Sequence, residues 1–185
     1  MSVNDIKRGK EKKMESDAIQ RERLRLKKVD KKAKLDEWHP KKITLANEWI
    51  ENKQTQMKRP IIRGAIFTCE LGENIGTEQN GERPVLVLSN NWINRTSGNV
   101  KVAPLSTKLK TKTVTDRKGK TKVVPRLKTH YFLRKEVYPF LAQTSAVKVE
   151  ELTTVNKVRL KQHIGNINED DLNKIMNRIK WVFDL

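Results

Sequence analysis

A polar loop containing glycines leads to a single arginine, and this is where the sequence concentrates residues that could do chemistry. Gly72, Gly76 and Gly81 lie in the loop, and Arg83 follows it, held next to Pro84. A guanidinium offers planar, two-point hydrogen bonding to phosphate, which a lysine ammonium cannot match. An arginine beside a proline at the start of a strand is also often simply exposed. The residue alone therefore leaves both interpretations open.

The charge of the chain favours an anionic partner. Its 185 residues include 40 Lys and Arg against 22 Asp and Glu, a formal net charge of +18. Such a field attracts RNA, DNA and anionic membrane alike, so it does not select among them. No run approaches the roughly 18 apolar residues of a membrane span, and the N-terminus lacks the apolar region of a signal peptide. We therefore expect a soluble, cytoplasmic protein without a membrane partner.

Residue types that bind metals are few and dispersed. Cys69 is the only cysteine, which excludes an intrachain disulfide and a thiolate metal site. It lies in an apolar stretch, where a free cysteine is usually a buried core residue. His39, His130 and His163 have no metal-ligand spacing. The sequence therefore predicts no metal and no cofactor.

Residues 1–60 are predicted to form a basic helical extension. The first part, residues 1–36, is mostly charged. Its thin apolar seam consists of Ile19, Leu26, Val29 and Ala33. This pattern suits a disordered basic tail or an exposed helix, and equally an RNA-facing arm or a docking helix.

The second part of the extension has a stronger helical pattern. Trp38-His39-Pro40 predicts a helix break, because proline disfavours helix in the residue before it. An amphipathic helix then follows from Lys41 to Met57. It should pack on the following domain or on a partner subunit, and Pro60 should end the extension.

From Ile61 onward the pattern changes to short strands, then a terminal helix. The predicted strands are Ala65–Cys69, Pro84–Leu88, Val100–Leu105, His130–Leu133 and Ala146–Val149. Residues 90–99 are predicted to be irregular, and residues 154–165 to form a short helix that ends at Gly165. The last helix begins at its N-cap, Asn168. The fold class is mainly β with helices (α+β), built as a small closed or nearly closed barrel.

Residues 108–129 predict a long, basic β-hairpin. Two Lys/Thr/Val alternations flank Asp116-Arg117-Lys118-Gly119, which suits a tight glycine turn. Lys118 and Lys120 stand at this turn, and alternating Thr and Val can bury little. The hairpin is therefore expected to project, either as a solvated surface feature or as an arm that contacts phosphates.

Several motifs between residues 61 and 185 resemble the MazF/PemK toxins of bacterial toxin–antitoxin systems. In unbroken order they are RGAIFTCELGENIGTEQNGERPVLVLSNN, VKVAPLST, LKTHYFL, TTVNKVRL and IGNINEDDLNKI. The resemblance implies a MazF/PemK-like endoribonuclease domain over residues 61–185. It further implies an SH3-like β-barrel (MazF/CcdB-like) with a C-terminal helix, usually in a homodimer. Residues 1–60 lie outside it.

The resemblance also implies an activity and its residues. The activity is metal-independent cleavage of single-stranded RNA at short sequences, leaving a 2′,3′-cyclic phosphate and a 5′-OH. A cognate antitoxin would thread a disordered acidic segment across the RNA groove. By motif position, Arg83 and Ser106 would be catalytic. The substrate-binding candidates are Glu78, Gln79, Asn80, Thr107 and His130, with Lys118 and Lys120 added from the hairpin.

One segment departs from the family pattern. Where relatives often carry Gln and Arg, this chain has Glu151 and Thr153. An added acid and a lost cation would change substrate preference or weaken activity. Two alternatives therefore stand beside the nuclease: a catalytically weak RNA-binding module, and a CcdB-like poison of a protein target, since fold alone does not determine function.

Overall fold

The computed structural model describes the backbone of residues 3–116 and 119–185, with side chains from Asp17 onward. The chain divides into two units, residues 1–43 and residues 44–185. None of the helices in these described ranges combines the length and apolar character needed to cross a bilayer.

Helix α1 spans Val3–Lys58, so the predicted break at Trp38-His39-Pro40 is wrong. Proline removes one helical N–H and clashes with the preceding turn, but the helix accommodates Pro40 here. The non-helical backbone lies instead at Asn52, with φ −114° and ψ 22°. Within the first unit, nearly all side chains from residue 17 to residue 36 are exposed, as the exposed-helix interpretation predicts.

The remaining elements are short strands and two further helices. The strands are β1 (Ala65–Glu70), β2 (Glu82–Val87), β3 (Asn99–Ser106), β4 (Thr111–Thr115), β5 (Thr121–Pro125), β6 (His130–Leu133), β7 (Ser145–Lys148), β8 (Thr153–Asn156) and β9 (Leu160–Asn166). The helices are α2 (Asn91–Thr96) and α3 (Glu169–Val182). The β4–β5 pair is the predicted hairpin, and Asn168 caps α3 as predicted, accepting the Asp171 N–H at 2.8 Å.

The main sheet is antiparallel and has the order β6-β7-β3-β2-β1-β9. Strand β3 is central to this sheet, because it pairs with three other strands, β2, β7 and β8. Side chains alternate between two apolar clusters: Ile66 of β1 lies in one, with Ile175 of α3, and Phe67 lies in the other. This confirms the predicted α+β fold, an antiparallel sheet with a C-terminal helix.

Two local predictions are wrong. Residues 90–99 are not irregular throughout, since they contain α2, whose N-cap Asn90 accepts the Ile93 N–H at 2.8 Å. Residues 154–165 are not a helix: they form most of β8, a 3₁₀ turn at Lys157–Arg159, and most of β9. The physical reason is pairing, because β9 satisfies the backbone groups along the edge of β1.

The C-terminal part of α1 is joined to the sheet by buried polar contacts within the second unit. The Lys157 side chain is fully buried and donates from Nζ to the Met57 carbonyl oxygen at 2.7 Å. Desolvation, and then the nearby Arg59 charge, lowers the pKa of Lys157. Arg59 donates from Nη1 to the carbonyl oxygens of Lys157 and Leu160, at 2.7 and 2.8 Å. The end of the predicted docking helix therefore contacts the barrel at Met57, and Arg59 continues that contact just after the helix.

Cys69 is fully buried in β1, as predicted for a core cysteine. Burial is the main cause that raises the pKa of its thiol to about 12. The thiol therefore stays protonated at neutral pH and serves packing.

Candidate active site

One cleft of about 480 Å³ brings together most of the predicted site residues. Its walls include Glu78, Gln79, Asn80, Arg83, Ser106, Thr107 and His130. Lys120 lies elsewhere, at the exposed β4–β5 turn, where its N–H donates to the Asp116 carboxylate at 2.9 Å. Lys118 lies outside the described residues.

Strand register explains why Arg83 and Ser106 share this cleft. Strands β2 and β3 pair Val85 with Pro104, and continuing that register by two residues places Arg83 opposite Ser106. Directly opposed residues of antiparallel strands project from the same face. Ser106 also ends β3 beside Ala146 of β7. The two residues thus face one space although they lie far apart in the sequence.

The loop between β1 and β2 is closed by its own hydrogen bonds. The Gly81 N–H donates to the Gly72 carbonyl oxygen at 2.7 Å, and both glycines have positive φ, +70° and +82°. Only glycine adopts that left-handed region without strain. The Asn74 N–H donates to Asn80 Oδ1, and Asn74 Nδ2 donates to the Gln79 carbonyl oxygen, each at 2.8 Å. The loop therefore presents Gln79 and Asn80 in a defined position.

The loop holds the guanidinium of Arg83. Arg83 Nε donates to the Asn80 carbonyl oxygen at 2.9 Å, and Nη2 donates to the same oxygen. Arg83 Nη1 donates to Gln79 Oε1. Nη1 and Nη2 each keep a second N–H for a ligand. The arginine is thus oriented by the protein and still able to bind an anion.

His130 is a buried cleft residue whose ring is paired with the Glu150 carboxylate. Its side chain is 1% exposed, and Nε2 lies 2.8 Å from Glu150 Oε1. Burial is the largest influence on the Glu150 carboxyl and opposes ionisation, but hydrogen bonds from its own backbone, Thr129 and His130 outweigh it and lower its pKa. An ionised Glu150 makes Nε2 the donor of this hydrogen bond. Nδ1 is buried and has no partner among the described residues.

Lys148 and Glu151 are cleft residues that sequence reasoning did not bring together. Lys148 pairs with His130 across β6 and β7 and lines the Arg83 cleft. It forms an ion pair with Glu151 Oε1, and Gln79 Nε2 donates to that same oxygen at 3.1 Å. A signal for Lys148 exists, because it alternates outward between the buried Val147 and Val149. No local pattern shows that it meets Glu151.

A second cleft of about 600 Å³ lies on the other side of Gln79. It shares Glu78 and Gln79 with the first cleft, and its wall includes Glu151, Thr153 and Arg159. The two residues that depart from the family pattern, Glu151 and Thr153, therefore line one cavity, which shares Glu78 and Gln79 with the Arg83 cleft.

The described residues hold no group of three or more His, Cys, Asp or Glu side chains able to bind a metal ion. The polar groups that line the Arg83 cleft are mostly cations, amides and two hydroxyls, which are donors suited to phosphate oxygens, and Glu78 is the acid among them.

Comparison with known proteins shows which family this chain resembles. The sequence profile of the family described as PemK-like, MazF-like toxin of type II toxin–antitoxin system matches residues 62–183. The Endoribonuclease MazF of Staphylococcus epidermidis is 29% identical over 119 residues, which cover 64% of this chain and 88% of that protein.

A solved structure with a TM-score above 0.5 shows the same fold. The crystal structure of MazF (Form-I) from Deinococcus radiodurans superposes with a TM-score of 0.53 at 16% identity, covering 68% of this chain and 97% of that one. A mycobacterial endoribonuclease in complex with its cognate antitoxin has a TM-score of 0.48 at 22% identity, covering 69% of this chain and 96% of its own.

Proposed function

This chain belongs to the family of PemK-like, MazF-like toxins of type II toxin–antitoxin systems, and from this premise we propose that it is an endoribonuclease. It cleaves single-stranded RNA at specific short sequences without a metal ion. The observation that carries the proposal is the cleft in which Arg83, Ser106 and His130 face one space. The likeness to a relative named Endoribonuclease MazF supports it.

The chemistry uses a nucleophile that RNA itself supplies. The ribose 2′-oxygen forms a bond to the adjacent phosphorus, and the bond from phosphorus to the 5′-oxygen breaks. The 2′-hydroxyl loses its proton and the 5′-oxygen gains one, which leaves a 2′,3′-cyclic phosphate and a 5′-OH. The protein must hold the strand in line, assist these proton movements and stabilise a phosphorane more negative than the starting diester.

Arg83 is the phosphorane stabiliser in this proposal. The loop already orients its guanidinium, and the remaining N–H groups of Nη1 and Nη2 suit two oxygens of one phosphate. Because arginine stays protonated at neutral pH, it is a poor proton acceptor. His130 lines the same cleft and is held by Glu150, but its side chain is only 1% exposed, so in this proposal it supports the cleft wall next to the substrate.

Ser106 is expected to orient the phosphate or the 2′-hydroxyl. Ser106 Oγ accepts the Lys108 N–H at 3.2 Å, so its own hydroxyl hydrogen stays available to the RNA. Ser106→Ala should lower single-turnover cleavage of a defined RNA by about tenfold, the effect of losing one hydrogen bond to a charged group. Ser106→Thr keeps the hydroxyl and should retain most activity. Equal rates for the alanine variant and the unchanged protein would contradict this role.

The β4–β5 hairpin is expected to bind RNA phosphates through its exposed lysines. Replacing Lys112, Lys120 and Lys122 together with alanine should weaken binding and flatten the dependence of log Kd on log salt, by about 0.7 for each phosphate that is no longer neutralised. The matched control removes three exposed lysines outside the hairpin, Lys53, Lys135 and Lys180. If both triple variants change the slope equally, only net charge matters and the hairpin has no special role.

A catalytically weak RNA-binding module is the second candidate, because Glu151 introduces an acid that neutralises Lys148 within the cleft wall. Incubating the purified protein with a long RNA in EDTA separates the two. Cleavage in EDTA supports the metal-independent nuclease. Tight binding without cleavage supports the module, and no interaction at low salt contradicts both.

Family membership also supplies the proposed partners. As a toxin of a type II system, the protein is expected to bind a cognate antitoxin, whose acidic segment would occupy the cationic cleft in place of RNA. We further propose a homodimer, which the family resemblance implies. Sedimentation of the purified protein, alone and with the antitoxin, tests both assemblies.

A further inference from the structure

We propose that Gln79 and Lys148 form a phosphate-binding subsite, which the Glu151 carboxylate occupies while the protein is free of RNA. The inference rests on the proposed function and identifies a second point at which the RNA backbone binds. Glu151 then acts as an internal competitor of the substrate.

The first argument is the convergence of donors on one oxygen. Gln79 Nε2 donates to Glu151 Oε1 at 3.1 Å, and the Lys148 ammonium forms an ion pair with that same oxygen. Gln79 and Lys148 both line the cleft that contains Arg83. An amide N–H and an ammonium beside each other would serve a phosphate oxygen equally well.

The second argument is that the Glu151 carboxylate is only half satisfied. Its other oxygen, Oε2, is buried and has no hydrogen-bond partner among the residues that the structure describes. A structural ion pair away from solvent normally uses both oxygens, because an unsatisfied buried acceptor is costly. Glu151 therefore gains little from its position, and exchange for a ligand anion costs correspondingly less.

The third argument is the link to Arg83. Gln79 uses its amide nitrogen on Glu151 and its amide oxygen on Arg83 Nη1, so one side chain connects the two cationic positions. An anion in the place of the Glu151 carboxylate would thus neighbour the phosphate that we assign to Arg83. Neighbouring phosphates are what a single RNA strand presents.

The competition has a direct consequence for Glu151→Gln. The amide keeps the size and one acceptor but removes the negative charge, so Lys148 becomes free to pair with a phosphate. The variant should bind RNA about tenfold more tightly, as expected for one charge-assisted hydrogen bond. Its salt dependence should steepen by about 0.7, since one more phosphate is neutralised without internal exchange.

The experiment measures binding of a 2′-O-methyl RNA, which lacks the nucleophile and cannot be cleaved. The chain provides a matched control, Glu136→Gln, which makes the same charge change at an exposed residue that lines neither cleft. Tighter binding and a steeper slope for Glu151→Gln alone support the subsite. If both variants change equally, the altered net charge explains the tighter binding, and the subsite proposal is overturned.

Inorganic phosphate provides a second readout that does not involve RNA. Glu151→Ala empties the position, so phosphate should raise its Tm more than it raises that of the unchanged protein, at matched ionic strength. Adding Lys148→Ala to that variant should abolish the difference. If phosphate stabilises all three proteins equally, the subsite does not exist. Should Glu151→Ala fail to fold, the isosteric Glu151→Gln is measured in the same way.

These outcomes stand apart from those of the nuclease proposal. A protein that cleaves RNA in EDTA but shows no phosphate response in Glu151→Ala retains its proposed function and loses the subsite. A protein that never cleaves, yet shows tighter RNA binding in Glu151→Gln, keeps the subsite as part of a binding module.

Discussion

Replacing Arg83 with alanine is expected to lower the rate constant of RNA cleavage by about 10²–10³-fold, the usual effect of removing one preorganised donor from a transition state. Arg83 is oriented by the Asn80 carbonyl oxygen and the Gln79 amide, and it faces Ser106 across β2 and β3. The measurement is single-turnover cleavage of a defined RNA at saturating protein, which separates the chemical step from binding.

Arg83→Lys is the matched variant, because it keeps the charge and loses the planar two-point geometry. Arg83→Lys should bind RNA nearly as well as the unchanged protein, but its cleavage rate constant should remain low. Since the loop also contacts Arg83, thermal unfolding of both variants must show that the fold persists. A folded Arg83→Ala protein with an undiminished rate would remove Arg83 from the mechanism.

Replacing Asp171 with alanine is expected to lower the free energy of unfolding by about 2–4 kcal/mol, because two hydrogen bonds to a charged group disappear and their donors are left unpaired. The hydroxyls of Tyr131 and Tyr138 each donate to this carboxylate at 2.6 Å. Tyr138 is 4% exposed, so its hydroxyl would find little water in exchange. Urea unfolding measures the decrease, and Asp170→Ala, exposed in the same helical turn, is the control.

The Asp171 contribution should also depend on pH. Burial is the largest influence on this carboxyl and raises its pKa, but hydrogen bonds from Tyr131, Tyr138 and Lys174 outweigh it and bring the pKa below its ordinary 3.8. Because the folded pKa is the lower one, the stabilisation is complete above the unfolded value and disappears as pH falls through the folded one. The difference in the free energy of unfolding between the unchanged protein and Asp171→Asn should therefore become smaller in acid. A difference that stays constant from neutral to strongly acidic pH would contradict this prediction.

Much of the fold is predictable because its signals are local. Short apolar runs identify β1 and β2, alternation identifies β3, and the Asn168 cap with its acidic first turn identifies α3. The prediction for residues 154–165 is wrong because Val155 and Val158 are spaced as on one face of a helix, although Leu160 is not. All three side chains are buried, and pairing of β9 with β1 decides between the two structures. Such pairing joins residues far apart in sequence.

The candidate site also has a part that the sequence predicts and a part that it does not. Motif position identifies Arg83, Ser106 and His130, and the structure places them in one cleft, while their roles remain predictions. The sequence marks Glu151 as an unusual acid but does not predict its ion pair with Lys148. The loop between β1 and β2 brings the Gln79 side chain to the Glu151 oxygen that also pairs with Lys148. The spacing of residues along the sequence does not predict this contact.

The buried ammonium of Lys157 determines where this protein can be shortened. Its acceptor is the Met57 carbonyl oxygen, and Arg59 supplies donors to the same turn of the chain. A version that starts at Ile61 would keep the lysine and lose both its acceptor on Met57 and the neighbouring Arg59, so the ammonium would have no partner at a site built to hold one. A shortened version of this protein therefore has to begin before Met57, so that the barrel keeps the last turn of α1.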